Sequence, residues 1–199
     1  MNKAWMVVVA IAIAARAESP KPPMDGVVTV LTYDKANIPW FVMAWAEGVA
    51  TKAFAAAGIE VRWVKGRRLG EPRKAASGET LTVVFDPKAP AQARPDATAT
   101  TYFGEGADAN THVFYDRVAR FRDPVHMPEF LGNVLAHELT HALEGVVRHS
   151  AEGLMKPAWD VVDYGKMVGG PLPFAAVDLA MLRAHFRRQT SAAALADAR

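Results

Sequence analysis

Residues 130–145 read FLGNVLAHELTHALEG and contain the pentapeptide HELTH at positions 137–141. Apolar side chains recur at helical spacing along this stretch, which predicts a helix that is either amphipathic or buried. Pro128 suits the first turn of such a helix, and Gly145 suits its C-terminal cap. The sequence therefore predicts one helix that carries the whole pentapeptide.

The two histidines of the pentapeptide are four residues apart, so a helix places them on one face, one turn apart. That geometry allows the imidazoles of His137 and His141 to bind a single zinc ion from a rigid support. Glu138 is then in a position to polarise a water molecule on the metal. The alternative is a helix whose histidines only pack or face solvent. The apolar context favours the metal site.

A zinc site that performs chemistry usually has three protein ligands and one position open to water. His149 is the best candidate for the third ligand, because the chain leaves the helix at Gly145 and a turn could bring it back beneath the site. The competing third ligands are Glu144, Glu152, Asp160 and Asp163. Three histidines without a partner at ligand spacing are expected to be ordinary surface or packing residues: His112, His126 and His185.

The run from His137 to Met155 resembles the metzincin zinc metalloproteases, which carry HExxHxxGxxH followed by a methionine-bearing turn. The matrixin-like members are the most similar, because HS at positions 149–150 and GLM at 153–155 fit their pattern. The run also resembles small secreted bacterial proteins with HExxH, a short glycine-bearing turn, HS and then G-(L/I)-M. The likeness is specific over roughly residues 111–160.

The sequence departs from the metzincin pattern in the turn after the helix. The third metzincin histidine would fall on Val147, whereas His149 comes two residues later. The glycine of the pattern would fall on Glu144, and Gly145 is one residue further on. A histidine ligand at position 149 therefore requires a longer turn than the pattern provides.

The resemblance implies a zinc-dependent hydrolase that cleaves peptide bonds. The implied Zn²⁺ ligands are His137, His141 and His149. Glu138 would be the general base, and Met155 would lie in the floor of the site. Tyr164 receives no catalytic role, because the tyrosine that some metzincins use lies two residues after the methionine, which here is Pro157.

Two other functions stay open from the sequence. One is a secreted binding or scaffold module that keeps a zincin fold and a zinc site without turnover, and the other is a different zinc hydrolase. Glu138 argues against a purely structural site, because such a site has no use for a base. A structural site would also tend to close its fourth position with another ligand.

The N-terminal residues have the pattern of a secretory signal peptide. Lys3 precedes a nearly continuous apolar run over residues 4–15, and Ala-Arg-Ala at positions 15–17 is typical of a cleavage site. We expect a signal peptide over residues 1–17, a short linker over 18–25, and a secreted or periplasmic protein. The apolar run is shorter than a typical transmembrane helix, and an uncleaved anchor is the alternative to a cleaved signal peptide. No stable membrane span is expected after cleavage. The linker is too short for a folded pro-domain.

The composition limits the possible chemistry and partners. The chain has no cysteine, which excludes a thiol nucleophile and a cysteine-ligated zinc. Removing Lys3 and Arg16 with the signal peptide leaves equal numbers of basic and acidic residues, so no strong field toward nucleic acid is implied. The expected partner is a peptide or protein substrate, with no nucleic acid.

The rest of the chain predicts an α/β fold in which a mixed β-sheet backs the HExxH helix. Strands are expected at residues 27–32, 59–64, 81–85, 98–103 and 111–118, and further helices at 39–57 and 172–188. Asp178 on the last helix is expected to face outward. A single catalytic domain would span residues 26–190, with a tail over 191–199 that is either frayed or helical. The resemblance implies an edge strand along the cleft, here residues 111–118, to which an extended peptide could add.

Overall fold

A computed structural model describes residues 26–66, 79–103, 109–120 and 125–197. The strands are β1 (Gly26–Asp34), β2 (Ile59–Lys65), β3 (Glu79–Asp86), β4 (Ala99–Phe103) and β5 (Ala109–Phe114). The helices are α1 (Trp40–Ala56), α2 (Tyr115–Val118), α3 (Met127–Glu144), α4 (Val161–Met167) and α5 (Ala176–Asp197). None of the helices within those ranges has the length and apolar composition needed to cross a bilayer. The predicted signal peptide and linker, residues 1–25, lie outside the described residues.

The strands form one five-stranded sheet in the order β2-β1-β3-β5-β4. The first four strands in this order run parallel to one another, and β4 pairs antiparallel with β5. The central strands are almost wholly apolar on the face that packs against the helices, and Val28, Val30 and Val83 are fully buried there. Such continuous burial is typical of parallel sheets. The predicted α/β class with a mixed sheet is confirmed.

The main hydrophobic core lies between one face of the sheet and the helices. It combines apolar residues from β1, β3 and β5 with residues of α1, α3 and α5. A smaller cluster occupies the opposite face of the sheet and consists of Leu31, Tyr33, Val84 and the partly buried Val64. The sheet therefore supports α3 on one side, and α3 is held within the larger core.

Helix α1 packs closely against α3 at Gly132. A Cβ atom added there would lie only 2.7 Å from the carbonyl oxygen of Ala46 and 2.5 Å from the Cβ atom of Val49, so a larger residue does not fit at this position. The buried face of α1 includes Ala46, while Phe41 and Trp45 are more than half exposed.

Helix α3 matches its predicted start and end. Pro128 lies in the first turn, and Gly145 caps the helix in the left-handed conformation with a φ of 68°. Glycine adopts this conformation without the steric cost that other residues incur. Every residue from 129 to 137 is buried. Of the two kinds of helix that the apolar pattern allowed, the structure therefore shows the buried one.

The prediction of a strand over residues 111–118 was wrong in two respects. Strand β5 ends at Phe114, and the chain turns at once into α2. Asp116 there accepts a hydrogen bond from the Ala89 backbone at 3.0 Å, and Arg117 donates to the carbonyl of Ala97 at 2.6 Å. After residue 114 the chain therefore forms a short helix whose side chains anchor the 87–98 loop, instead of continuing as a strand. In addition, β5 is an inner strand, and the edge strand is β4.

The last helix also differs from its prediction. It begins at Ala176 rather than at position 172, because Pro171 and Pro173 disfavour helical backbone before it. It continues to Asp197, so the predicted tail is largely helical. Asp178 does not face outward: it is fully buried and hydrogen-bonded. The short helix α4 was not predicted.

Candidate metal centre

The three histidines singled out in the sequence lie together in the structure. Helix α3 places His137 and His141 one turn apart, with their Nε2 atoms 3.0 Å from each other. The ring of His149 lies 5.4 Å from that of His137 and 5.1 Å from that of His141, measured between centroids. One nitrogen from each residue falls within 4.8 Å of the others. This set of three imidazoles is suited to binding a metal ion.

The hydrogen bonds of the two helical histidines direct their Nε2 atoms toward a shared point. The Nδ1 of His137 lies 2.9 Å from the carbonyl oxygen of Leu154, and that of His141 lies 3.2 Å from the carbonyl oxygen of Val146. A carbonyl only accepts, so each Nδ1 carries the proton and each Nε2 keeps its lone pair. Two lone pairs 3.0 Å apart repel each other unless a cation lies between them.

The spacing of these nitrogen atoms fits zinc. Tetrahedral zinc with Zn–N bonds of about 2.0–2.1 Å separates its nitrogen ligands by about 3.3 Å. The observed 3.0 Å between the Nε2 atoms of His137 and His141 is close to that value. Neutral imidazoles with Nδ1 bonded to carbonyl groups are also the usual arrangement around bound zinc.

The pKa values of the three histidines favour the neutral, cation-binding form at neutral pH. Burial lowers the pKa of His137 to about 4, with the neighbouring His141 and His149 adding to the shift. Burial likewise lowers the pKa of His141 to about 4, and the pKa of the more exposed His149 is lowered by partial desolvation and by the nearby Arg94 and Arg148. All three rings are therefore neutral at pH 7, so a metal ion would not have to displace protons from them.

We expect the metal-free protein to lose stability as the pH falls from about 6.5 to about 4. In this range a histidine of the unfolded chain, with a pKa near 6.5, is protonated. In the folded protein His137 and His141 stay neutral, because their pKa values are about 4. Stability therefore rises with pH across the window, by a total on the order of several kcal/mol. Thermal melts of chelator-treated protein at pH 4, 5, 6 and 7 measure this change.

The matched control removes both groups, in a His137→Gln/His141→Gln variant, and its melting temperature should depend less on pH. Glu138 acts in the opposite sense, because burial raises its pKa to about 7 and the folded state then favours the protonated acid. Recording the melts in a Glu138→Gln background removes that contribution. A melting temperature that stays constant or increases toward pH 4 in that background contradicts the burial of neutral histidines.

Glu138 lies beside the histidines and is held by the neighbouring edge strand. Its Oε2 accepts a hydrogen bond of 2.7 Å from the hydroxyl of Thr101 on β4. That hydroxyl lies 3.0 Å from the hydroxyl of Thr111 on β5, so the two form a short chain that ends at the carboxyl group. Burial raises the pKa of Glu138 to about 7, and the Thr101 hydrogen bond partly offsets this shift. A carboxyl group with a pKa near the working pH is suited to accept and return a proton.

A cleft of about 450 Å³ opens onto the histidines and Glu138. One wall is formed by residues 97–101, which lead into and include the start of β4, and another by the apolar rings of Phe130, Trp159 and Tyr164. The ring of Phe130 makes edge contacts with both Trp159 and Tyr164 at 6.0 Å. The cleft thus combines polar groups at its base with an apolar side wall, as ligand sites commonly do.

The segment after His149 forms a closed turn beneath the cluster. The backbone N–H of Ser150 donates to the carbonyl of Met155 at 2.8 Å, and that of Leu154 donates to the carbonyl of Pro173. Gly153 has a φ of 74°, and a Cβ atom there would lie 2.3 Å from the Pro173 carbonyl oxygen, so only glycine fits. Met155 is fully buried within the core. Its role in the floor of the site stays a prediction.

The carboxylates that competed for the third ligand position make other contacts. Asp160 and Asp163 cap α4, and both bind the ammonium group of Lys156. Glu144 accepts a hydrogen bond from Arg148 at 3.1 Å. Glu152 is exposed. Within the described ranges, the one group of three or more possible ligands with converging atoms is that of the three histidines.

The other histidines lie apart from this group. His112 contacts Asp86 at 2.6 Å and His185 contacts Glu79 at 2.5 Å, both through ring nitrogens. His126 is the N-terminal cap residue of α3. The prediction that they are surface or packing residues agrees with these positions.

Sequence reasoning missed several residues that shape the site. Thr101, which binds Glu138, lies 37 positions before it, and no local pattern marks it. The carbonyl of Leu154 accepts hydrogen bonds from both His137 and Trp159, which a side-chain motif cannot reveal. Trp159 was also missed. Tyr164, which received no role from the motif spacing, lines the cleft.

Comparison with known protein families and curated proteins identifies no relative. No protein-family profile matches the sequence, and no curated protein matches it. The residues of the site and their geometry are therefore the basis on which a function can be inferred.

Proposed function

We propose that this protein is a zinc-dependent peptidase, a secreted hydrolase of peptide bonds with a zincin-like site. The observation that carries the proposal is the convergence of three neutral imidazoles with one partly buried carboxyl group in a cleft. Three protein ligands leave one tetrahedral position open, which distinguishes catalytic from structural zinc sites.

The proposed metal ligands are His137, His141 and His149. When bound there, zinc would lower the pKa of a coordinated water and polarise a substrate carbonyl. The protein fixes the two helical rings through the carbonyl groups of Leu154 and Val146, so their Nε2 atoms need little reordering to bind the ion.

Glu138 acts as the general base in this proposal. It takes a proton from the attacking water and delivers it to the leaving amine when the carbon–nitrogen bond breaks. The hydrogen bond from Thr101 holds Oε2 and leaves Oε1 available for the proton. The raised pKa of about 7 suits a group that must both accept and release a proton near neutral pH.

The substrate that fits the cleft is an extended peptide. Strand β4 lies at the edge of the sheet and pairs only with β5 among the described strands. Its other edge borders the cleft, where residues 99–101 contribute to the wall. An extended chain could therefore add to β4 by main-chain hydrogen bonds, with an apolar side chain against Trp159. This assigns to β4 the role that the sequence had suggested for residues 111–118.

Chelation of the metal should abolish cleavage of an unstructured protein. We expect the purified protein to hydrolyse casein, to lose this activity with 1,10-phenanthroline, and to regain it when zinc is added back. Cleavage is followed on gels and by mass spectrometry of the products. Activity that survives complete removal of the metal contradicts the proposed chemistry. Stable zinc binding without any cleavage would instead support a non-catalytic binding module.

A further inference from the structure

His149 reaches the cluster from a part of the chain that is neither helix nor strand. The other two histidines belong to α3, whereas residues 147–150 follow the helix without regular structure. The side chain of His149 is also exposed. A ligand on such a segment loses conformational freedom when it binds, and this loss weakens the metal site unless other contacts already hold the segment.

Both sequence neighbours of His149 are bonded to the same carboxylate oxygen. Arg148 donates from Nη2 to Oδ1 of Asp178 at 2.6 Å. The hydroxyl of Ser150 donates to the same oxygen, also at 2.6 Å, and Nη1 of Arg148 donates to that hydroxyl at 3.1 Å. The residues on both sides of His149 are therefore bonded to one oxygen atom of α5, Oδ1 of Asp178, and this holds the backbone between them.

The carboxylate that accepts these bonds is itself fixed. Asp178 is 0% exposed and lies in the first turn of α5. Its second oxygen accepts a hydrogen bond of 3.1 Å from the backbone N–H of Ala175, which closes the start of the helix. A buried charge needs a charged partner with good geometry, and the guanidinium group of Arg148 provides it.

Arg148 also connects this carboxylate to the end of the metal-binding helix. Its Nη2 donates to Oε1 of Glu144 at 3.1 Å, and its Nε lies 2.9 Å from the sulfur of Met181. One planar guanidinium group thus contacts the last turn of α3, the segment that carries His149, and α5. Lysine has a single ammonium group and cannot satisfy these directions at once.

We propose that Arg148 and Asp178 are positioning residues that hold His149 at the metal site, so that α5 contributes to metal affinity without contacting the ion. This inference rests on the proposed metal centre and concerns affinity rather than the hydrolytic step. Contacts outside the ligand set typically change the affinity of a metal site by about 10–100-fold.

The test is a zinc titration of the whole protein in competition with a chromophoric chelator. Arg148→Met should lower the zinc affinity by about tenfold or more, and Arg148→Lys should lower it less, because one hydrogen bond to Asp178 can persist. Arg188 is an exposed arginine on α5, so Arg188→Met is the matched control and should leave the affinity unchanged. An affinity for Arg148→Met within about twofold of wild type overturns the proposal.

A double-mutant cycle separates positioning from general destabilisation. In a His149→Ala background there is no third imidazole to position, so Arg148→Met should cause no additional loss of zinc affinity. A loss of the same size in both backgrounds would mean that Arg148 only supports the fold, which overturns the proposal.

A milder variant keeps the test valid if Arg148→Met does not fold. Ser150→Ala removes one hydroxyl and leaves the ion pair intact. We expect a loss of a few-fold in zinc affinity with an unchanged circular dichroism spectrum, and an unchanged affinity overturns the inference.

The wild-type protein distinguishes failure of this inference from failure of the proposed function. A wild-type protein that binds zinc but does not cleave casein contradicts the proposed function and leaves this inference standing. A wild-type protein without zinc affinity overturns both.

Discussion

Replacing Glu138 with glutamine should reduce casein hydrolysis by about 10²–10⁴-fold while the protein still binds zinc, because a positioned general base contributes a factor of this size. Glutamine keeps the shape of the side chain and can still accept the hydrogen bond from Thr101, but it cannot take up a proton. Initial rates of cleavage and the zinc content of the purified variant measure the two effects separately.

The same variant should be more stable than wild type at pH 8 when the metal is removed. Burial raises the pKa of Glu138 to about 7, so above that pH the folded protein holds a poorly solvated carboxylate. Because the pKa is raised on folding, the ionised group opposes folding at high pH, and its removal is favourable. Glu152→Gln changes an exposed acid in the same region and is the control for the stability measurement.

The activity measurement tests the proposed base directly. Full hydrolytic activity in Glu138→Gln means that the proposed base is wrong.

Replacing His149 with alanine should weaken zinc binding by at least about a hundredfold. Loss of an outer contact to a metal ligand already costs about 10–100-fold, so the loss of a ligand itself should exceed that range. His149 is exposed, and its removal leaves the core intact, so we expect the variant to remain folded. Competition with a chelator of known zinc affinity, together with circular dichroism, checks both expectations.

Two control variants make this result specific. His112→Ala removes a histidine that contacts Asp86 outside the cluster, and it should leave zinc affinity unchanged. Val147→Ala changes the position at which the metzincin pattern would place its third histidine, and that side chain is 72% exposed. If His149→Ala binds zinc as tightly as these controls, the third ligand has been assigned incorrectly.

Local patterns were sufficient to predict α3 and to bring together the two histidines that we propose as metal ligands. The helix follows from apolar residues at helical spacing, and its ends follow from Pro128 and Gly145. The proximity of His137 and His141 follows from the helical repeat alone, because residues four apart share a face. Such features depend on neighbouring residues in the chain, so the sequence contains the information directly.

Features that depend on strand pairing were harder to predict. The sequence indicated five strands but assigned the cleft edge to residues 111–118, whereas β4 is at the edge and β5 lies inside the sheet. Strand order is decided by pairing between distant segments, and the apolar pattern of one strand does not reveal its neighbours. The burial of Asp178 was missed for the same reason, because its partners Arg148 and Ser150 lie about 30 positions away.

By itself the sequence determined the helix that carries the HELTH pentapeptide, the identity of its two histidines and of the adjacent carboxyl group, and the mixed α/β class, since these depend on short-range periodicity. Only the tertiary structure decided that His149 meets the other two rings, that Thr101 binds Glu138, and that β4 borders the cleft. Each of these contacts joins residues from separate elements, and their distances follow from how the helices pack on the sheet.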